Sequence, residues 1–267
     1  MDKISLSVVL YNNTENQLNQ LFKSIECVNN KNIKIYIIDN SPISIQSRLP
    51  QIEIELDYNF FPENLGYGSG HNFGITRALK ENYRYHVVLN PDIYFKEDVI
   101  TPMITWMSHN DNIGLMMPQV LNPDSSIQFL PKLLPSPIDL LLRKINLNLT
   151  NYELKNIEQS IIYNTPILSG CFTLINLELV KQIGFYDDKY FLYFEDWDFS
   201  RRVHLKYKTI YFPKVSIFHA YQSNANKNLN HFLYFVRSAI RYFNKWGWFF
   251  DNQRSIINNN TKKQFTN

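Results

Sequence analysis

A chain of 267 residues with 45% hydrophobic and 19% charged residues has the make-up of an ordinary globular protein, enough for one large domain or one domain with a C-terminal appendage. The formal charge of +3, without a long Lys/Arg block, argues against a nucleic-acid partner, and two distant cysteines, Cys27 and Cys171, argue against a disulfide framework or thiolate zinc site. Met1-Asp2-Lys3 runs directly into a strand pattern without a basic and apolar leader, and no stretch reaches about 18 uninterrupted apolar residues. The expectation is a cytoplasmic protein with no spanning helix, with peripheral membrane contact left open.

Ile4 to Leu10 reads as a buried strand, Thr14 to Val28 as a helix capped by Thr14, and Ile33 to Ile38 as a second strand ending in Asp39-Asn40-Ser41. A weaker strand at Ile52 to Leu56 precedes a glycine-rich loop, Asn64 to Gly74, then a helix to about Glu81 and a strand from His86 to Leu89 that stops at Asn90-Pro91-Asp92. This alternation predicts an α/β fold with a mostly parallel sheet covered on both faces, where ligands collect at the carboxyl ends of the strands. After a strand at Ile113 to Met117 the pattern loosens into a proline-punctuated excursion that runs through the Asn-rich stretch Asn146 to Gln159. Order resumes at Ile167 to Ile175, with a short helix before Gly184, and a strand pair follows at Thr209 to Phe212 and Ser216 to His219. Leu229 to Phe250 has a helical period. Its apolar stripe comprises Phe232, Phe235, Val236, Ala239, Ile240, Phe243, Trp246 and Phe250, and Arg237, Arg241 and Lys245 recur every four residues. Residues 1–225 are therefore read as the main domain and 226–267 as a helical segment able to meet an anionic membrane surface, core packing being the competing use of its first half.

The most informative stretch places Glu195, Asp196 and Asp198 directly after the aromatic run Tyr190 to Phe194. Acids crowded at an apolar edge repel one another and lose hydration, so their pKa values separate and one becomes a candidate general base. The alternative use is a helix start, with Arg201 and Arg202 within reach of Asp198. The glycine-rich loop fits neither a dinucleotide fingerprint nor a Walker loop, although its backbone can approach a ligand and Asn64, His71 and Asn72 can hydrogen-bond one. Asp92 and His219 each close a strand, which makes them a candidate pair for a divalent cation.

Taken in order, Val8-Val9-Leu10-Tyr11-Asn12, Asp39-Asn40-Ser41, Asn64-Leu65-Gly66 with Gly70-His71-Asn72-Phe73-Gly74, Leu89-Asn90-Pro91-Asp92, Gly170-Cys171-Phe172, Gly184-Phe185-Tyr186-Asp187, Phe194 to Asp198 and His219 resemble family-2 glycosyltransferases, in particular their bacterial rhamnosyltransferase branch, over about residues 4 to 220. The resemblance implies a GT-A fold, a nucleotide-sugar donor, a divalent metal (Mg²⁺ or Mn²⁺) and inversion at the anomeric carbon. It puts the base-binding role on Asp39 and the donor contacts on Tyr11, Asn12, Asn64, Gly66, Gly70, Asn72, Asn90 and Asp92. The metal ligands are Asp92 and His219, and Asn90-Pro91-Asp92 keeps one of the two acids of the family's metal motif. Asp196 becomes the catalytic base, and Glu195 orients either the acceptor or the base. Asp198 either pairs with Arg201 or Arg202 or holds an acceptor hydroxyl, with Trp197 on the same acceptor side. The implied activity is transfer of L-rhamnose from dTDP-L-rhamnose to a lipid-linked oligosaccharide of a surface polysaccharide such as O-antigen or capsule, on the inner face of the plasma membrane. UDP-galactofuranose is the alternative donor. A non-catalytic sugar-nucleotide-binding scaffold is the rival from another class, and a nucleotidyltransferase ranks last because Tyr11-Asn12-Asn13 is not a basic phosphate-gripping loop.

Overall fold

The computed structural model describes residues 3–144, 152–220 and 229–266. Strands β1 (Ile4–Leu10) and β2 (Ile33–Asp39) are almost wholly buried, so both faces of the sheet are covered at this point. Between them α1 (Glu15–Glu26) begins at Thr14, whose hydroxyl accepts the Gln17 N–H while the Gln17 side chain accepts the Thr14 N–H. The chain continues through β3 (Glu55–Phe60), α2 (Tyr67–Lys80), β4 (Tyr85–Leu89), β5 (Ile93–Tyr94), α3 (Ile100–Ser108), β6 (Ile113–Leu121), α4 (Pro137–Lys144), β7 (Tyr163–Asn164), β8 (Phe172–Asn176), α5 (Leu177–Val180), α6 (Glu195–His204), β9 (Lys208–His219), α7 (Leu229–Trp246) and α8 (Asn252–Lys262).

Among the described residues these strands form one nine-stranded sheet in the order β3-β2-β1-β4-β8-β6-β9-β5, with β7 also paired to β9. β3, β2, β1 and β4 are mutually parallel; β8 enters antiparallel between β4 and β6, and β9 runs parallel to β6. The reversal of β8 positions the site. Its register sets Phe172 opposite Leu89, so the residues that precede it, Gly170-Cys171, stand at the carboxyl end of β4 beside Asn90. The short β5 is likewise antiparallel to β9, with Ile93 opposite His219, which brings Asp92 to His219.

Several expectations are corrected. The glycine-rich segment is helix rather than loop from Tyr67 onward: its glycines are buried where α2 crosses the sheet, and only Gly66, at φ +84°, needs a backbone conformation closed to other residues. β3 lies later than Ile52–Leu56 because it is the sheet's edge and is only half-buried, leaving no continuous apolar run to mark it. The anticipated strand at Ile167 to Ile175 is ordered as β8 only from Phe172. The supposed pair near Thr209 and Ser216 is the single strand β9, bulged where the register jumps from Pro118–Phe212 to Gln119–Ser216. The helix expected to reach Phe250 ends at Trp246, where Gly247 takes φ +101°.

The C-terminal helices dock on the domain. Tyr242 and Phe243 of α7 pack with Tyr190 and Phe194, and Ile257 of α8 packs with Leu134 and Ile167. Arg201 of α6, 1% exposed in its side chain, donates from Nη2 to both oxygens of Asp251 at 2.8 and 2.9 Å, and its guanidinium lies 4.1 Å from the centre of the Trp246 ring. Asp251 also caps α8 by accepting the Arg254 N–H. Because Asp251→Ala leaves a buried cation without its carboxylate, we expect a loss of about 3–5 kcal/mol in urea unfolding, and a loss under about 1 kcal/mol would contradict this reading.

Candidate active site

The acid cluster is set by an unusual turn. Tyr193 and Phe194 take φ +70° and +65° in succession, a conformation that costs non-glycine residues on the order of 1–3 kcal/mol each. The aromatic packing of Tyr190 and Phe194 against Tyr242 and Phe243 holds it. The turn delivers Glu195 and Asp196 to the first turn of α6, and a second contact fixes its start: the Tyr67 N–H donates to the Phe191 carbonyl at 3.0 Å. A Cβ at Gly66 would lie 2.5 Å from that same carbonyl oxygen, so Gly66 is required for this approach.

The two adjacent acids have different surroundings. Glu195 is 5% exposed and its buried Oε2 accepts no hydrogen bond. Burial, reinforced by the neighbouring Asp196, pushes its carboxyl well above the usual carboxylate range. Asp196 is half-buried. Burial raises its carboxyl too, but N–H groups of Gly170 and Trp197 and the cation of Lys132 pull it back. Gly170 N donates to Oδ2 at 3.0 Å and Trp197 N to Oδ1 at 2.9 Å. Gly170 is also held at its carbonyl, in the next peptide group, by the Tyr67 hydroxyl, which donates to it at 2.5 Å. Asp196 is thus the member of the pair that ionises, and its elevated pKa suits it to accept a proton.

The second half of the site follows from the same peptide run. The Cys171 carbonyl accepts the Asn90 N–H at 2.9 Å, so consecutive residues touch the base and the Asn90-Pro91-Asp92 turn. Asp92 Oδ1 lies 3.3 Å from His219 Nε2. Gln128 determines what that contact is. Its Nε2 donates to the His219 carbonyl and to Asn122 Oδ1, which turns its Oε1 toward His219 Nδ1 at 3.1 Å. Nδ1 must then donate, and in neutral imidazole this presents the Nε2 lone pair to the Asp92 carboxylate. Two acceptors so placed require a proton or a metal cation between them. The buried Asn90 Oδ1 and Asp92 Oδ1 take no hydrogen bond, and with His219 Nε2 they are oxygen and nitrogen donors of the type that suits Mn²⁺ or Mg²⁺. Among the described residues no group of three His, Cys, Asp or Glu side chains is placed to hold a metal ion.

Several other expected site residues are engaged within the fold. Asp39 is fully buried, with Oδ1 accepting the Ser41 N–H and Oδ2 the Ile45 N–H and the Tyr58 hydroxyl, so its carboxylate braces the 40–45 loop. Asn72 spends its amide on Tyr186 and Asp188, Gly70 lies against Val9 and Ile38, His71 is buried on Ser7, and Asn64 accepts the Gly66 N–H. These residues build the wall of the site. Asp198 is fully buried, and Arg202, Lys245 and Trp246 occupy its oxygens, which leaves none for an acceptor hydroxyl. Arg201 pairs with Asp251 instead. Trp197 is half-buried against Phe194 and Tyr242, turned into the C-terminal helices. Tyr11 and Asn12 do stand exposed at the carboxyl end of β1. The residues missing from the sequence reading are Tyr67, Gln128, Lys132 and the Gly170 peptide. Lys132 carries a readable signal, a lone lysine between the apolar Phe129-Leu130-Pro131 and Leu133-Leu134, whereas Gln128 has none.

The family described as Glycosyl transferase family 2 matches residues 5–184. The low-salt glycan biosynthesis hexosyltransferase Agl10 of Haloferax volcanii is 27% identical over 76% of this chain and 62% of its own length. Rhamnosyltransferase WbbL of Escherichia coli K12 is 25% identical over 88% and 90%, and the N-acetylglucosaminyl-diphospho-decaprenol L-rhamnosyltransferase of Mycobacterium tuberculosis 24% over 76% and 71%. GalNAc-T7 with UDP, GalNAc and Mn²⁺ superposes at a TM-score of 0.64 with 14% identity, covering 92% of this chain and 48% of that one. The mannosyltransferase PcManGT of Pyrobaculum calidifontis with GDP-Man and Mn²⁺ gives 0.55 and 14%, covering 90% and 64%. The chain thus spans less than two thirds of the hexosyltransferase and of both solved structures, whose likeness establishes the GT-A fold.

The Gln128 argument is directly testable. Gln128→Leu removes the group that orients His219, and Mn²⁺ affinity read by electron paramagnetic resonance should fall about tenfold or more. An unchanged affinity would contradict the ligand pair.

Proposed function

Because the chain belongs to glycosyl transferase family 2, we propose that it is an inverting transferase that moves L-rhamnose from dTDP-L-rhamnose to a lipid-linked glycan in the building of a bacterial surface polysaccharide. The observation that carries the reading is the divided acid pair, a buried Glu195 with an unpartnered Oε2 beside an Asp196 held by the Gly170 N–H, next to Asp92 and His219. The rhamnosyl donor rests on the names of two relatives, and the lipid-linked acceptor on the diphospho-decaprenol substrate that one of those names states.

In this mechanism Asp196 Oδ removes the proton of the acceptor hydroxyl as its oxygen bonds to the anomeric carbon, and the bond from that carbon to the diphosphate oxygen breaks on the opposite face. The configuration therefore inverts. When neutral, Glu195 leaves Asp196 without a second negative charge beside it. The Tyr67 hydroxyl and the Gly170 peptide keep Oδ2 in place, and the exposed Tyr11 offers a ring on which the donor base can stack. Asp92, His219 and Asn90 would hold a divalent cation, which when bound neutralises charge on the leaving diphosphate. The exposed Trp248, Phe249 and Phe250, the last 96% exposed, form a tip suited to peripheral contact with the inner membrane face. No helix among the described residues is long and apolar enough to cross a membrane.

Asp196→Asn keeps the shape and removes the base, so turnover in a nucleotide-sugar assay should fall by about two to four orders of magnitude with donor binding little changed. Near-normal turnover would refute the assignment, and donor binding without any turnover by the unaltered protein would favour a non-catalytic scaffold. A second test uses pH. Burial lowers the Lys132 pKa to about 8, so the lysine is charged at neutral pH and favours the ionised form of Asp196. Lys132→Met removes that cation and raises the Asp196 pKa further. Because the base works ionised, the acid limb of kcat/KM should move to higher pH, and an unmoved limb would exclude the coupling.

A further inference from the structure

A groove of about 930 Å³ opens between α7 and the 187–191 segment, on the outer side of the turn that delivers the acid pair. Four of its lining residues are cations, Lys189, Arg237, Arg241 and Lys245, and one is an acid, Asp187. Lys245 is already matched, at 2.8 Å to Asp198 and 3.7 Å to Asp187. Lys189, Arg237 and Arg241 have no carboxylate within 4 Å among the described residues, although Arg77, Arg201 and Arg202 are each paired. Arg237 and Arg241 are one helical turn apart on the same face, an arrangement of like charges that opposes helix stability unless an anion sits between them. The groove is therefore a cation cluster with an uncompensated charge among the described residues, walled by the rings of Phe191 and Tyr234, in contact at 4.7 Å and tilted by 41°.

We propose that this groove binds the diphosphate of the lipid-linked acceptor, an inference that rests on the transferase reading above. Arginine forks match phosphate oxygens, and a diphosphate carries the charge that three unmatched cations require. The apolar half of the ligand has a place as well. Ile240 lines the groove and is 45% exposed; Leu233 and Leu229, about two and three helical turns toward the helix start on the same side, are 41% and 71% exposed. An isoprenoid chain lying along that strip leaves its diphosphate on Arg237 and Arg241. The far wall of the groove runs through Phe191 and Leu192, whose carbonyls bond Tyr67 and Ser238, directly into Glu195 and Asp196. In this proposal the attached sugar lies at the end of the groove where the chain continues to the base.

The test is calorimetry on the full chain with its donor site filled by dTDP and Mn²⁺, using geranyl diphosphate as the probe and geraniol as its uncharged counterpart. Geranyl diphosphate should bind and geraniol should not. The double variant Arg237→Gln/Arg241→Gln, whose changes are on the surface of α7, should bind about tenfold more weakly or worse, and Arg237→Lys/Arg241→Lys should recover part of the loss. An unchanged affinity in the glutamine variant overturns the proposal. So does a variant that keeps the affinity for geranyl diphosphate and loses only flotation on vesicles containing phosphatidylglycerol, since the arginines would then serve bilayer headgroups. Groove and transfer chemistry are separable: diphosphate binding that depends on the arginines, without sugar transfer to any acceptor, supports the groove and refutes the transferase reading. Transfer to a lipid diphosphate that is indifferent to the double variant does the reverse.

Discussion

Two adjacent carboxyl groups compete for charge at the start of α6, and one of them, Glu195, is buried with an oxygen, Oε2, that has no hydrogen-bond partner. Glu195 loses that competition through burial, and Asp196 wins it through two N–H donors and a nearby lysine. Nearly everything distinctive in the surrounding structure serves this division. The left-handed turn at Tyr193 and Phe194 aims the pair, aromatic packing from α7 holds the turn, and Gly66 admits the start of α2 against it. Tyr67 reaches across to the carbonyl of Gly170, the residue whose N–H fixes the base.

That residue is in reach because the sheet is not uniformly parallel. A purely parallel sheet presents only carboxyl ends at its ligand edge. Here β8 and β5 run the other way, and each brings a loop to that edge from the opposite direction. One supplies Gly170-Cys171, which touches both Asp196 and Asn90; the other supplies Asp92 beside His219. The proton-accepting and cation-holding halves of the site are therefore coupled through two consecutive residues, and a shift in the β8 register would disturb both.

Much of this was legible in the sequence where the signal is local. The β1-α1-β2 opening, the Thr14 cap, the strand ending at Asn90 and the acid cluster all follow from short-range pattern. The pairing of Asp92 with His219 follows from both residues closing strands. Features that depend on tertiary contact were not readable. Glycines weaken a helix, so α2 reads as a loop until Ser7, Tyr36 and Val9 are seen packed against it. The short polar helix α8 has no apolar period and is held by Asp251, Asn258 and Arg254. Asp39, Asn72 and Asp198 look like ligand contacts by type and position, yet their oxygens and amides are consumed by partners up to 116 residues away in the chain. Gln128 and Lys132 lie in the proline-punctuated stretch, where no periodicity singles them out.

The most direct test of the divided acid pair is a carboxyl ¹³C NMR titration of the intact protein, with Glu195→Gln and Asp196→Asn used to assign the two signals. The predicted result is that Asp196 ionises first, above the ordinary carboxylate range, while Glu195 is still protonated at neutral pH. Ionisation of Glu195 before Asp196, or of both near the ordinary value of about 4, would contradict it.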